Sequence, residues 1–176
     1  MVQLLECSSC TDNIIDPPNY FTLLINQYRR ADKVARNDKK IDAKGRFFIP
    51  TKVREKLGEE VFVTNSLDKG YLCIYSRARF EDIAAEFKEL NKLNPKIRIL
   101  ERMIISEAAE VTVDSQGRIA ISSELLERIS AKPGDEICVF DQADKLEVCA
   151  KSFYDNQDFD LSAIAGLETE FNVSGL

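Results

Sequence analysis

From Lys39 onward, apolar and polar positions alternate in short runs punctuated by glycine, proline and aspartate. The pattern predicts a strand ending at Ile41, a tight loop, a strand over Phe47 to Ile49 and a helix over Pro50 to Leu57, which Gly58 stops. Strands over Val61 to Thr64 and Tyr71 to Tyr75 follow, joined by a turn at LDKG. After Glu110 the same order returns: strand Val111 to Val113, loop, strand Arg118 to Ile121, helix Ser123 to Ile129, a stop at Lys132 to Asp135, and strands Ile137 to Phe140 and Leu146 to Cys149. The two runs are copies of one supersecondary unit, and their offset drifts from 72 to 76 and then to 74 residues as loop lengths change.

Between the copies the period lengthens. Phe80, Ile83, Ala84, Phe87 and Leu90 recur at steps of three and four, and after Asn94-Pro95 so do Ile97, Leu100, Ile104 and Ala108, which predicts two amphipathic packing helices. Before the first copy the chain has no clear period and carries the turn-like Asp16-Pro17-Pro18-Asn19, so it reads as an extension outside the main fold. The end is acidic with one apolar cluster, and partial disorder is expected of it. The expected organisation is an extension over 1–36, a first repeat over 37–79, a helical pair over 80–109, a second repeat over 110–154 and an acidic tail over 155–176.

The strongest local similarity between the copies is KIDAKGRFFIP, Lys40 to Pro50, against TVDSQGRIAIS, Thr112 to Ser122. Both contain Asp-x-x-Gly-Arg: Asp42, Gly45 and Arg46 in the first, Asp114, Gly117 and Arg118 in the second. An aspartate at this place accepts from backbone amides two or more residues on and closes a tight loop. The glycine supplies a positive φ. The arginine then stands at the mouth of a strand, presented outward from a rigid base, where function commonly sits. The same spacing also suits plain pairing of each aspartate with its own arginine, and the sequence leaves both readings open.

Charge separates the copies. The chain is acidic, with net charge −6, yet residues 29–56 hold eleven Lys and Arg against four Asp and Glu, whereas residues 110–176 hold five against fourteen. A local basic patch on an acidic protein is an anion site. Lys39, Lys40 and Lys44 surround Arg46 in the sequence, with Lys52 and Arg54 close behind, whereas Arg118 is followed by Glu124 and Glu127. This assigns anion binding to Arg46, Lys44, Lys40 and Lys39, and a loop-structuring role to Asp42, Gly45, Asp114, Gly117 and Arg118.

Histidine is absent, which removes the commonest general base and metal ligand, and no nucleophile with a base, phosphate-cradling glycine loop or assigned acid pair stands out. No enzyme and no cofactor are expected. Cys7 and Cys10 form a C-x-x-C pair, but no second pair or histidine completes a four-ligand zinc site in one chain. Cys73, Cys138 and Cys149 fall in apolar strand runs and read as small core residues. With five cysteines, no signal-peptide pattern and an early apolar patch at Phe21 to Ile25 far too short to span a bilayer, the expectation is a cytosolic protein with reduced thiols and no membrane partner.

With two copies of Asp-x-x-Gly-Arg, each followed by a short strand and helix and separated by a helical pair, the region from about Asp38 to Tyr154 resembles the MraZ family of bacterial transcriptional regulators, relatives of the AbrB-like swapped-hairpin barrels. The resemblance implies an α+β fold in which the two repeats complete one mainly-β barrel within a subunit, with the helical pair between them. It also implies subunits closed into a ring, and contact through the Asp-x-x-Gly-Arg loops with double-stranded DNA carrying short direct repeats, upstream of the division and cell-wall operon. The sequence departs from the family in its long N-terminal extension and in Ser122, where members commonly have proline.

Overall fold

The computed structural model describes residues 36–142 and 144–158. The expectations for residues 1–35, including Cys7 and Cys10, and for the tail from residue 159 lie outside the described residues.

Each copy folds as two strands, a helix and two strands. The first holds β1 (Arg36–Lys40), β2 (Arg46–Phe48), α1 (Thr51–Leu57), β3 (Glu60–Asn65) and β4 (Tyr71–Ser76). The second holds β5 (Ala109–Thr112), β6 (Arg118–Ala120), α4 (Ser123–Arg128), β7 (Glu136–Asp141) and β8 (Leu146–Ala150). Between them run α2 (Arg77–Glu89), α3 (Pro95–Glu101) and a π-helical turn (Arg102–Ser106), and after β8 comes α5 (Lys151–Asp155).

Neither copy forms a sheet by itself. The order β1-β7-β8-β4-β3-β5 makes a six-stranded antiparallel sheet in which the first strand of each copy pairs with the third strand of the other. The second strands, β2 and β6, pair with each other as a separate two-stranded ribbon. Reading the sheet backwards and exchanging the copies returns the same order, so the unit has a pseudo-twofold. Phe47 pairs with Ile119 in the ribbon and Cys73 with Glu147 in the sheet, in each case equivalent positions of the two copies. The class is mixed α and β with antiparallel strands, and β1 and β5 remain the two edges of the sheet.

Apolar side chains from both copies meet in one core: Ile41, Phe47, Ile49, Val63 and Ile74 from the first, Ile119, Ile121, Leu126, Ile137 and Val148 from the second, all at 3% exposure or less. Cys73, Cys138 and Cys149 are buried and free, as their apolar runs suggest. Burial pushes the Cys138 thiol up to about 11 and Cys149 up to about 12, so both stay protonated at neutral pH.

The local chemistry of the elements follows the sequence closely. Ser76 Oγ accepts from the Arg79 amide at 3.2 Å and starts α2. Asn94 Oδ1 accepts from the Lys96 amide at 2.9 Å, with Pro95 as the first residue of α3. Ser122, the departure from the family pattern, caps α4 through the Leu125 amide at 3.4 Å, at the place where Pro50 precedes α1.

Two elements differ from the periodic reading. The second helix of the pair ends in a π turn, because β3 draws its carbonyls away: Thr64 Oγ1 donates to the Ile104 carbonyl at 2.6 Å and Asn65 Nδ2 to the Met103 carbonyl at 2.7 Å. The Glu107 amide closes the wider turn onto the Arg102 carbonyl at 3.2 Å. Past β8 the chain forms α5, which stands where α2 begins in the first copy. Its Tyr154 meets Phe140 at 5.0 Å between ring centroids, as Phe80 of α2 stacks on Phe62 at 4.3 Å.

Because Phe47 lies at the pseudo-twofold and is 1% exposed, Phe47→Ala should lower unfolding free energy by about 3 to 5 kcal/mol in denaturant titration. Leu93→Ala, at a side chain 86% exposed between α2 and α3, should stay within about 0.5 kcal/mol of the parent.

Candidate functional site

The two Asp-x-x-Gly-Arg loops adopt one geometry. In the first, Asp42 Oδ1 accepts from the Lys44 amide at 2.8 Å and the Arg46 amide at 2.9 Å, while the Gly45 amide donates to the Asp42 carbonyl at 3.0 Å. In the second, Asp114 Oδ1 accepts from the Gln116 and Arg118 amides, each at 2.9 Å, and the Gly117 amide donates to the Asp114 carbonyl at 2.7 Å. The glycines have φ of 75° and 78°, the left-handed conformation the loop requires.

Both arginines are held by their own aspartates. Arg46 donates to Asp42 Oδ2 from Nε at 2.8 Å and Nη2 at 2.7 Å, and Arg118 does the same to Asp114 at 2.8 and 2.7 Å. The Arg46 side chain, joined by its own amide and that of Lys44, holds the Asp42 carboxyl down at about 2. Arg118, by side chain and amide, likewise lowers Asp114. Of the two readings the sequence leaves open, both arginines adopt the pairing, and Asp42 neutralises Arg46 as fully as Asp114 does Arg118. The uncompensated charge at the first loop sits instead on Lys40 and Lys44, both exposed, and on half-buried Lys39, none of which makes an ion pair among the described residues.

The ribbon fixes where the loops stand. Because β2 and β6 are antiparallel, the loops lie at its opposite ends, and they are tied to the other copy by the Ile121 amide donating to the Gly45 carbonyl at 2.9 Å and the Ile49 amide donating to the Gly117 carbonyl at 3.0 Å. The pleat turns Phe47 and Ile119 into the core. Arg46, Phe48, Arg118 and Ala120 share the other face. Phe48 is 47% exposed, and the Arg118 guanidinium lies over its ring at 5.7 Å. An exposed aromatic in the strand that leaves the first loop was the available signal for this contact, and sequence reasoning passed over it.

Exchange between the copies also reassigns the helices. A Cβ on Gly45 would lie 3.9 Å from Leu126 Cδ1 of α4, and one on Gly117 would overlap the Arg54 guanidinium of α1. Each loop therefore borders the helix of the other copy. Arg54 belongs to the acidic second loop, not to the basic first loop that its sequence neighbours suggest. Beside the first loop, Ile41 exchanges backbone hydrogen bonds with the turn at Lys132 to Asp135, its amide to the Asp135 carbonyl and its carbonyl from the Gly134 amide, both at 2.9 Å. A shallow groove of about 440 Å³ runs there, lined by Lys40, Asp42, Ala43 and Pro133.

Among the described residues no cluster of three or more His, Cys, Asp or Glu is arranged to hold a metal, and no helix is long and apolar enough to cross a membrane.

Gly45→Ala should cost more than the about 1 to 2 kcal/mol of a left-handed side chain, because its Cβ would stand 2.7 Å from the Ile121 carbonyl oxygen, a backbone atom just past the ribbon that yields less easily than a side chain. Gly117→Ala meets a side chain that can swing away, so its thermal midpoint should fall less. The Asp42 carboxyl, followed by carbon-detected NMR, should titrate near 2 against a usual 3.8. Its contribution to the loop is therefore present above pH 3.8 and is lost as pH falls through about 2, whereas a midpoint at the usual value would mean that the Arg46 pairing is absent in solution.

The model of the MraZ protein family matches this chain twice, over residues 36–103 and 104–165. A protein of Lachnoclostridium phytofermentans named transcriptional regulator MraZ is 35% identical over 135 residues, covering 76% of this chain and 93% of the relative. Its namesake in a Thermoanaerobacter species is 33% identical over 137 residues, covering 76% and 94%. In Corynebacterium jeikeium the corresponding regulator is 37% identical over 109 residues, covering 62% of this chain and 74% of that one. A solution structure from Pyrococcus horikoshii aligns over 68% of this chain and 90% of its own at 15% identity, with a TM-score of 0.26, too slight a likeness to relate the folds.

Proposed function

The chain belongs to the MraZ family, and from that membership we propose that it is a transcriptional regulator that binds double-stranded DNA through its Asp-x-x-Gly-Arg loops. The observation that carries this reading is the ribbon: both loop arginines lie on one exposed face, with Lys40 and Lys44 beside the first loop. B-DNA's major groove, about 12 Å wide, admits a two-stranded ribbon of this kind. The lysines supply attraction to phosphate, while a guanidinium held by aspartate is already ordered for a base edge.

The finer parts of the reading are proposed with it, on the resemblance to the family. Subunits close into a ring, the ring engages short direct repeats upstream of the division and cell-wall operon, and the protein works in the cytoplasm at the nucleoid without catalysis, cofactor or membrane. Within a subunit, the ribbon and the sheet form the swapped-hairpin barrel, a reading supported by the exchange of β1 and β5 between copies. The division into an extension over 1–36, repeats over 37–79 and 110–154, a helical pair over 80–109 and a tail over 155–176 belongs to the same proposal.

One observation favours a second reading. Each loop arginine is neutralised within its own loop, which suits a ring-forming interaction protein whose DNA loops have degenerated. Selection from a pool of randomised duplexes separates the two. The DNA reading expects enriched duplexes with short repeats in one orientation, and Lys44→Ala should then weaken binding on all of them and reduce the salt dependence by about one phosphate contact per engaged subunit. A wild-type chain that assembles but enriches no duplex would leave the interaction protein as the answer.

A further inference from the structure

Positions 54 and 126 are equivalent in the two copies, 72 residues apart like the loops themselves, and each sits over the loop glycine of the other copy. Their chemistry differs completely. Leu126, 1% exposed, fills its place as a core side chain. Arg54 is only half-buried, and its guanidinium occupies the space that a Cβ on Gly117 would need.

The guanidinium is fixed at one edge. Arg54 Nε donates to the Ile49 carbonyl at 3.2 Å, and the Ile49 amide in turn donates to the Gly117 carbonyl at 3.0 Å, so the side chain is linked to the second loop through Ile49, just past β2. Among the described residues no carboxylate pairs with Arg54, in contrast to Arg46 and Arg118. The second loop therefore has one arginine whose charge is cancelled and one whose charge is not, and the latter comes from the first copy. A guanidinium tethered at one edge, whose terminal nitrogens have no hydrogen-bond partner among the described residues, loses less freedom on meeting a phosphate than an untethered one.

We propose that Arg54 is the phosphate contact of the second loop, so that this end of the ribbon binds DNA with an arginine supplied by the other repeat. The proposal rests on the DNA reading of the ribbon. It gives the two ends different chemistries, lysines at the first loop and a preset guanidinium at the second.

The test uses the full chain and a duplex enriched by the wild-type protein from the randomised pool, titrated at several salt concentrations. Arg54→Leu, which installs the residue of the equivalent position, should reduce the slope of log affinity against log salt by about one phosphate contact per engaged subunit, with weaker binding at every salt. Arg54→Lys should keep most of the slope. Should the leucine variant fail to fold, Arg54→Gln replaces it, with the same loss expected relative to lysine. Equal slopes for wild type and the uncharged variant, with Lys44→Ala still impaired, would make Arg54 a structural filler and leave the DNA reading standing. If the wild type enriches no duplex, the DNA reading fails and the role of Arg54 falls with it.

Discussion

The fold depends on backbone hydrogen bonds that neither repeat can make alone. A β1-to-β4 unit by itself leaves β1 with no partner strand, β2 with no ribbon and β3 with one open side, and buried or edge-exposed amides in that number are too costly for a stable domain. The second copy supplies the missing partner at every point. The loops inherit their positions from this exchange, since the Gly45 and Gly117 carbonyls each receive an amide from the opposite strand. Site geometry and sheet completion are thus one event.

Two equivalent loops on one ribbon need not remain equivalent in chemistry. The backbone geometry, the aspartate clamp and the glycine conformation agree between them to within a few tenths of an ångström. What differs lies around the loops: lysines beside the first, Phe48 and Arg54 beside the second. Such a framework lets charge diverge while the turn is kept, because the turn's own hydrogen bonds close within five residues and do not depend on surface neighbours.

Much of the fold was legible because short-range rules govern it. Alternation marked the eight strands, Gly58 and Asn94-Pro95 marked helix ends, and the repeated loop announced the duplication. The exchange of strands was not legible in the alternation, which says which face of a strand is buried and nothing about which strand lies beside it; only the family resemblance pointed to it. Arg54 was misassigned for the same reason: its sequence neighbours are basic, but its neighbour in space is Gly117. The steps of Leu100, Ile104 and Ala108 suit an α-helix, and only the donors of Thr64 and Asn65 on β3 explain the wider turn. The α5 turn lay at the boundary of the second copy, where five residues carry too little periodicity to announce a helix.

The pairing of β1 has a consequence in time. Asp38 stands opposite Cys138, so the earliest of the described strands meets its partner only after about a hundred further residues have been synthesised. Until then β1 lacks even the one partner strand it has in the finished sheet, and an apolar segment in that condition would recruit any other extended chain in reach. Its sequence is Arg-Asn-Asp-Lys-Lys, with four charges in five residues. The nascent chain carries its longest-waiting described strand in a form that water solvates and other strands avoid.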